Sequence, residues 1–64
     1  MAEWKKEIRR LAMDFCITRT ETLKILKAVE RAYGNKEVPS HYKGKRDEFL
    51  YDKAQREIKN LIYA

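Results

Sequence analysis

Cys16 is the only cysteine in a chain of 64 residues. A domain this small buries a modest share of its surface and usually needs a staple. One cysteine cannot form an intramolecular disulfide, which removes the commonest staple. A zinc staple is also disfavoured, because Cys16 and His41 are the only thiol and imidazole ligands. Tight helix packing or self-association remains. The chain is read as one helical domain spanning residues 1–64. It is too short for a dinucleotide-binding unit or a barrel, and no cofactor or metal is expected.

Charge points to an anionic partner. Fifteen Lys and Arg against ten Asp and Glu give +5. The excess is uneven: residues 35–46 carry Lys36, Lys43, Lys45 and Arg46 against Glu37 alone, whereas the last eighteen positions are slightly acidic. No apolar run follows the charged start Glu3-Trp4-Lys5-Lys6, so a secretory leader is not expected. No stretch approaches a membrane span. With its free thiol, the expected compartment is the cytoplasm.

Three segments have helical periodicity, and none alternates as a strand does. In the first, Trp4, Ile8, Leu11, Ala12 and Phe15 form one apolar stripe. In the second, Thr18 followed by Glu21 makes a capping box, the best helix-start signal in the chain. That helix is predicted from Arg19 to Tyr33, ended by Gly34-Asn35. Its inner face is expected to be Thr22, Ile25, Leu26, Val29, Ala32 and Tyr33. Its outer face is expected to be Thr20, Lys24, Lys27 and Arg31. After a long irregular connection at 35–46, Asp47 is expected to cap a third helix with apolar positions Leu50, Ala54, Ile58, Leu61 and Ile62. Phe49 and Tyr51 lie at the edges of that stripe. The fold class is all-α: a three-helix bundle with a long loop before the third helix.

Only three or four residues join the first two helices, which suits either a hairpin or an angled pair. The stretch IRRLAMDFCITRTETLKILKA, residues 8–28, resembles the helix-turn-helix DNA-binding family. Ala12 is the small residue of the first helix, with Leu11 and Phe15 packing inward. Cys16 stands at the turn, Ile17 follows as the core plug, and Ile25 anchors the second helix. Ile17-Thr18-Arg19-Thr20 is similar to the opening of the recognition helix in resolvase-type and small-regulator versions. Cys16 occupies a position where that family usually has glycine, and a left-handed backbone there would strain a residue with a Cβ. The family's base-reading positions fall here on Thr18, Arg19, Thr20, Lys24 and Lys27. The resemblance implies double-stranded DNA as partner, Arg19 as a guanine-reading fork, and a homodimer. Arg31 joins these by periodicity, and Lys43, Lys45 and Arg46 by their place in a basic loop with Tyr42 and Gly44. The expected dimer surface is residues 49–63.

Each feature also has a plainer reading. The basic stripe can be a solvated face, and the loop charges can oppose Asp47 and Glu48. Thr18 and Glu21 are first of all a cap, Trp4 a core anchor, and Cys16 a small buried hydrophobe. No catalytic residue is expected: Cys16 and His41 are the one nucleophile–base combination, and nothing places them together. The competing function is a protein-interaction module docking on a larger partner through Trp4, Tyr42, Phe49, Tyr51 and Tyr63, without nucleic acid.

Overall fold

The computed structural model describes residues 3–63. Three helices form the fold: α1 is Glu3–Asp14, α2 is Arg19–Tyr33 and α3 is Arg46–Tyr63, with a short 3₁₀ turn at Ser40–Tyr42 before α3. There is no strand among the described residues.

The core is built from one face of each helix. Trp4, Ile8 and Ala12 come from α1; Ile25, Leu26 and Val29 from α2; Phe49, Leu50, Ala54 and Ile58 from α3. Ala12 and Ala54 are both essentially inaccessible. Small side chains at such points let backbones approach closely. Helix α1 packs more extensively on α3 than on α2, so α3 completes the core for both. Thr22 is the one buried polar residue among those described. Its hydroxyl donates to the Thr18 carbonyl at 2.8 Å, which satisfies it inside the apolar face.

The elbow between α1 and α2 is fixed by local backbone bonds. Cys16 has φ 59°, in the left-handed region. The Ile17 amide donates to the Ala12 carbonyl at 2.9 Å, and the Cys16 amide to the Met13 carbonyl at 3.0 Å. This pair of bonds is the Schellman motif, which normally places glycine where Cys16 stands. The chain then enters α2 through Thr18, whose hydroxyl accepts from the Glu21 amide at 3.2 Å.

The elbow closes sharply. Lys5 Nζ pairs with Glu30 Oε2 at 2.8 Å, bridging the start of α1 and the last turns of α2. Those residues lie about 13 and 16 Å along their helices from the elbow. At a right angle they would stand about 21 Å apart, beyond the roughly 14 Å that extended Lys and Glu side chains span. The opening is therefore well under 90°. A steeply angled pair and a tight hairpin both meet that limit.

Several expectations are corrected. Phe15 does not pack inward: it follows the last residue of α1 and is 43% exposed. The Schellman turn folds Ile17 back over the helix end instead. Cys16 is exposed rather than buried. Ala32 is exposed, because the last turn of α2 meets α3 on its Tyr33 side. Asp47 lies inside the first turn of α3 rather than capping it. There the carboxylate suits the helix dipole, and Lys45 supplies the first accepting carbonyl, to Phe49. Phe49 is core rather than edge. Leu61 and Ile62 are exposed at 49% and 36%. Helix α3 has 18 residues against 12 and 15 for its partners, so its last turns overhang the bundle.

The connection to α3 is a packed strap rather than a free loop. Val38 and Tyr42 pack against the core. Tyr42 lies 5.4 Å from the Phe49 ring and donates its hydroxyl to Asp52 Oδ2 at 2.7 Å. Tyr33 meets the same Phe49 ring edge-on at 5.8 Å. Arg46 Nη1 donates to the Gly34 carbonyl at 2.6 Å and ties the start of α3 to the end of α2.

Candidate nucleic-acid interface

The outer face of α2 follows from its inner face. At 100° per residue, Thr22, Ile25, Leu26 and Val29 centre the buried side. Thr20, Lys24, Lys27 and Arg31 fall within an arc of about 60° on the opposite side. All four are exposed. Lys24 is 3.8 Å from Glu21 Oε1, a loose surface pair. Such pairs are worth little and do not hold a lysine away from an incoming phosphate. No aromatic or large aliphatic side chain shares that arc, so a polyanion can approach it closely.

The remaining candidates part company from this stripe. Thr18 faces its own helix end as the cap. Arg19 is exposed but lies about 80° from Lys27 around the axis. It lines an open cleft of about 570 Å³ together with Arg9, Met13, Ile17, Thr22 and Leu23. Lys43 is exposed in a left-handed conformation, φ 54°, after the 3₁₀ turn. Lys45 is 3.9 Å from Glu48 Oε1, also at the surface. Arg46 is occupied by the Gly34 carbonyl. Thus the structure gathers four of the nine candidates on one face. It leaves Lys43, Lys45 and Arg46 at the other end of α2, around the strap.

Trp4 and Phe49, offered as docking aromatics in the competing reading, are in the core. Tyr42 and Tyr51 are packed against it, leaving Tyr63 as the one freely exposed member of that set. The expected dimer surface contracts in the same way. Phe49, Leu50, Ala54 and Ile58 are buried within the chain's own core, and Leu61, Ile62 and Tyr63 remain outward.

A feature not anticipated is that the large exposed apolar side chains share one end of the bundle. Trp4 and Tyr51 line one recess, and Tyr33 meets Phe49, so the start of α3 lies beside the start of α1 and the end of α2. The end of α3 therefore lies toward the elbow. Met13 (77% exposed), Phe15, Leu23, Leu61, Ile62 and Tyr63 are all at that end. The signal was available: Met13 lies opposite the Trp4–Ile8 stripe, and Leu23 falls outside the buried arc of α2. Neither residue has an inner face to occupy.

One titration is displaced. The hydrogen bond to Asp52 holds the Tyr42 phenol above its usual value, with desolvation and the Asp52 charge adding to the effect and Arg56 opposing it. Ionising the phenol would break that bond and set two anions together. It is a property of the strap and lies away from the α2 stripe.

Among the described residues, no group of three or more His, Cys, Asp or Glu side chains is placed to hold a metal ion. No described helix is long and apolar enough to cross a membrane. Comparison with protein-family models, with curated proteins and with solved structures finds no match for this chain.

Proposed function

We propose that this chain is a small DNA-binding protein, a regulator or architectural factor, that lays the outer face of α2 into the major groove. One observation carries the reading: Thr20, Lys24, Lys27 and Arg31 form an exposed stripe, diametrically opposite the buried face, on the helix that follows a sharply bent elbow. Long cations along such a face reach phosphates and guanine edges, and the short Thr20 hydroxyl leaves room for the backbone to approach. The helix-turn-helix resemblance over residues 8–28 supports the same face. Arg19 would contribute from the rim rather than from the centre, and Lys43 and Lys45 would touch the backbone further along. Two copies pairing through Leu61, Ile62 and Tyr63 would double a contact area that one short helix leaves small.

The test separates the stripe from bulk charge. Lys24→Glu/Lys27→Glu and Lys6→Glu/Arg10→Glu change the net charge equally, all four residues being exposed. The first is expected to weaken duplex binding at least tenfold more than the second in mobility-shift titrations, about 1.4 kcal/mol. Wild-type affinity should fall steeply between two salt concentrations. Equal loss in both variants, or no duplex binding at low salt, refutes the proposal. A sedimentation mass of one chain at working concentration refutes the pairing alone.

A further inference from the structure

The outer face of α3 carries a second cationic surface. At 100° per residue, Arg56 and Lys59 fall within about 40° of the line opposite Leu50, Ala54 and Ile58, the side that α3 buries. Both are exposed. Among the described residues, no carboxylate forms an ion pair with either. They line an open groove of about 380 Å³ with Lys53, Gln55 and Asn60. Tyr42 walls its strap end and donates to Asp52, a carboxylate of the same lining, at 2.7 Å. Lys53 leans over the Tyr33 ring, 5.3 Å from its centroid, and keeps its charge there. Cations thus outnumber the anion, two carboxamides add N–H donors, and the described lining holds no aliphatic side chain. Such a composition suits phosphodiester oxygens.

This groove and the α2 stripe look in different directions. Each of the three helices packs on both others, so the faces opposite their shared core diverge. A straight duplex seated along Thr20, Lys24, Lys27 and Arg31 leaves Arg56 and Lys59 uncovered. We propose that the groove grips the phosphodiester backbone of a second duplex segment, so that one chain holds two segments of DNA at once. The bridging rests on α2 holding the first segment. The second contact is to backbone alone and carries no sequence preference. An acidic protein segment would satisfy the two cations but find no apolar pocket for an anchor. A free phosphate is better served by donors converging in a closed site, whereas Arg56 and Lys59 are staggered along the helix, as contact with a strand requires.

The test loads the full chain onto an immobilised duplex and measures capture of a second, labelled duplex. Arg56→Gln/Lys59→Gln is expected to keep affinity for a single duplex within about threefold and to reduce capture at least tenfold. Lys6→Gln/Arg10→Gln, with the same change in net charge, should keep both within about threefold. The substituted side chains are exposed, and a circular-dichroism melt checks that the fold is retained. Paired copies that bridge through their two α2 stripes would keep full capture in Arg56→Gln/Lys59→Gln, which refutes the proposal. Equal loss in the control variant refutes it too. So does competition by a polyglutamate peptide, or by inorganic phosphate, as strong as that by unlabelled duplex at equal charge. A second readout is independent of α2: the side-chain amide NMR signals of Gln55 and Asn60 should move when a short duplex is added, in wild type and in Lys24→Gln/Lys27→Gln alike. Signals that stay still overturn the groove. If Lys24→Gln/Lys27→Gln still loads the immobilised duplex, the α2 reading fails instead, so the two failures are distinguishable.

Discussion

The two connections of this bundle solve the same problem by different means. The elbow at residues 15–18 turns the chain with backbone bonds and one cap, all within six positions of one another. The strap at residues 34–45 turns it with side chains that reach across the fold: Tyr42 to Asp52, Arg46 to Gly34, and Tyr33 and Tyr42 onto Phe49. Each contains one non-glycine residue in the left-handed region, Cys16 and Lys43. A turn made of local bonds needs few particular side chains, which leaves the elbow surface free to vary. A turn made of tertiary contacts commits its aromatics and its arginine to holding the chain. The candidate interfaces accordingly lie at the elbow end, along α2 and on the outer face of α3 rather than on the strap.

The largest expected effect breaks the strap. Phe49 is 4% exposed and takes two tyrosine rings, with Lys53 Nζ 5.7 Å from its centroid. Phe49→Ala should cost about 3–5 kcal/mol in urea unfolding. A domain of this size has total stability in roughly that range, so the variant is expected to be largely unfolded at room temperature. Ile17→Ala, at the elbow, removes a partly buried side chain and leaves the Schellman bonds in place. It should cost about 1–2 kcal/mol. If Ile17→Ala proves as damaging as Phe49→Ala, the elbow depends on packing and the contrast fails.

That contrast also explains what could be read in advance. The bounds of α2 were legible because Thr18, Glu21 and Gly34 act on their immediate neighbours. The glycine is required for space: its φ is −59°, and a Cβ there would collide with the Glu30 carbonyl oxygen. The inner faces of α1 and α2 followed from periodicity in Trp4, Ile8, Ala12, Ile25 and Val29. The basic stripe on α2 followed as their complement. The strap was not legible, since Tyr42 finds Asp52 ten positions away and Arg46 finds a carbonyl twelve positions back. Nothing in a local window separates a lysine-rich loop that lies free from one pinned by its aromatic. The overhang of α3 escaped for a related reason. Leu61 and Ile62 continue the helical period, and period does not report where the neighbouring helices stop. At the elbow, Phe15 continued the stripe of α1 in the same way, and the backbone turned one residue too soon for it to be buried.

A smaller effect, of opposite sign, compares the two left-handed residues. Such a conformation costs an L-residue about 1–2 kcal/mol, and glycine returns part of the gain through its freer unfolded chain. Cys16→Gly should therefore stabilise the protein by about 0.5–1 kcal/mol, because the exposed thiol gives up little packing. Lys43→Gly should gain a similar amount. Equal gains, measured as shifts in the urea midpoint with unchanged slope, would locate the difference between the connections entirely in their side chains. A loss in Cys16→Gly would show that the thiol packs at the elbow after all.

The smallest effect probes the strap without dismantling it. The hydrogen bond to Asp52 raises the Tyr42 phenol pKa in the folded chain. A group whose folded value is raised lends stability that is complete below its unfolded value, near 10. That stability is lost as pH climbs through the folded value. The bond thus supports the strap throughout the neutral range and releases it only in strong alkali. Phenolate absorbance, taken as the difference between wild type and Tyr42→Phe, should show one tyrosine titrating above the ordinary phenol range. Asp52→Asn should bring it back toward that range while leaving the helix content unchanged, since Phe49 still holds the ring. The elbow has no counterpart to this bond. Variants confined to residues 15–18 should therefore leave the titration of Tyr42 where it was. If an elbow variant moved it, the two connections would be coupled through the core, and the contrast between a turn held by local bonds and one held by tertiary contacts would be lost.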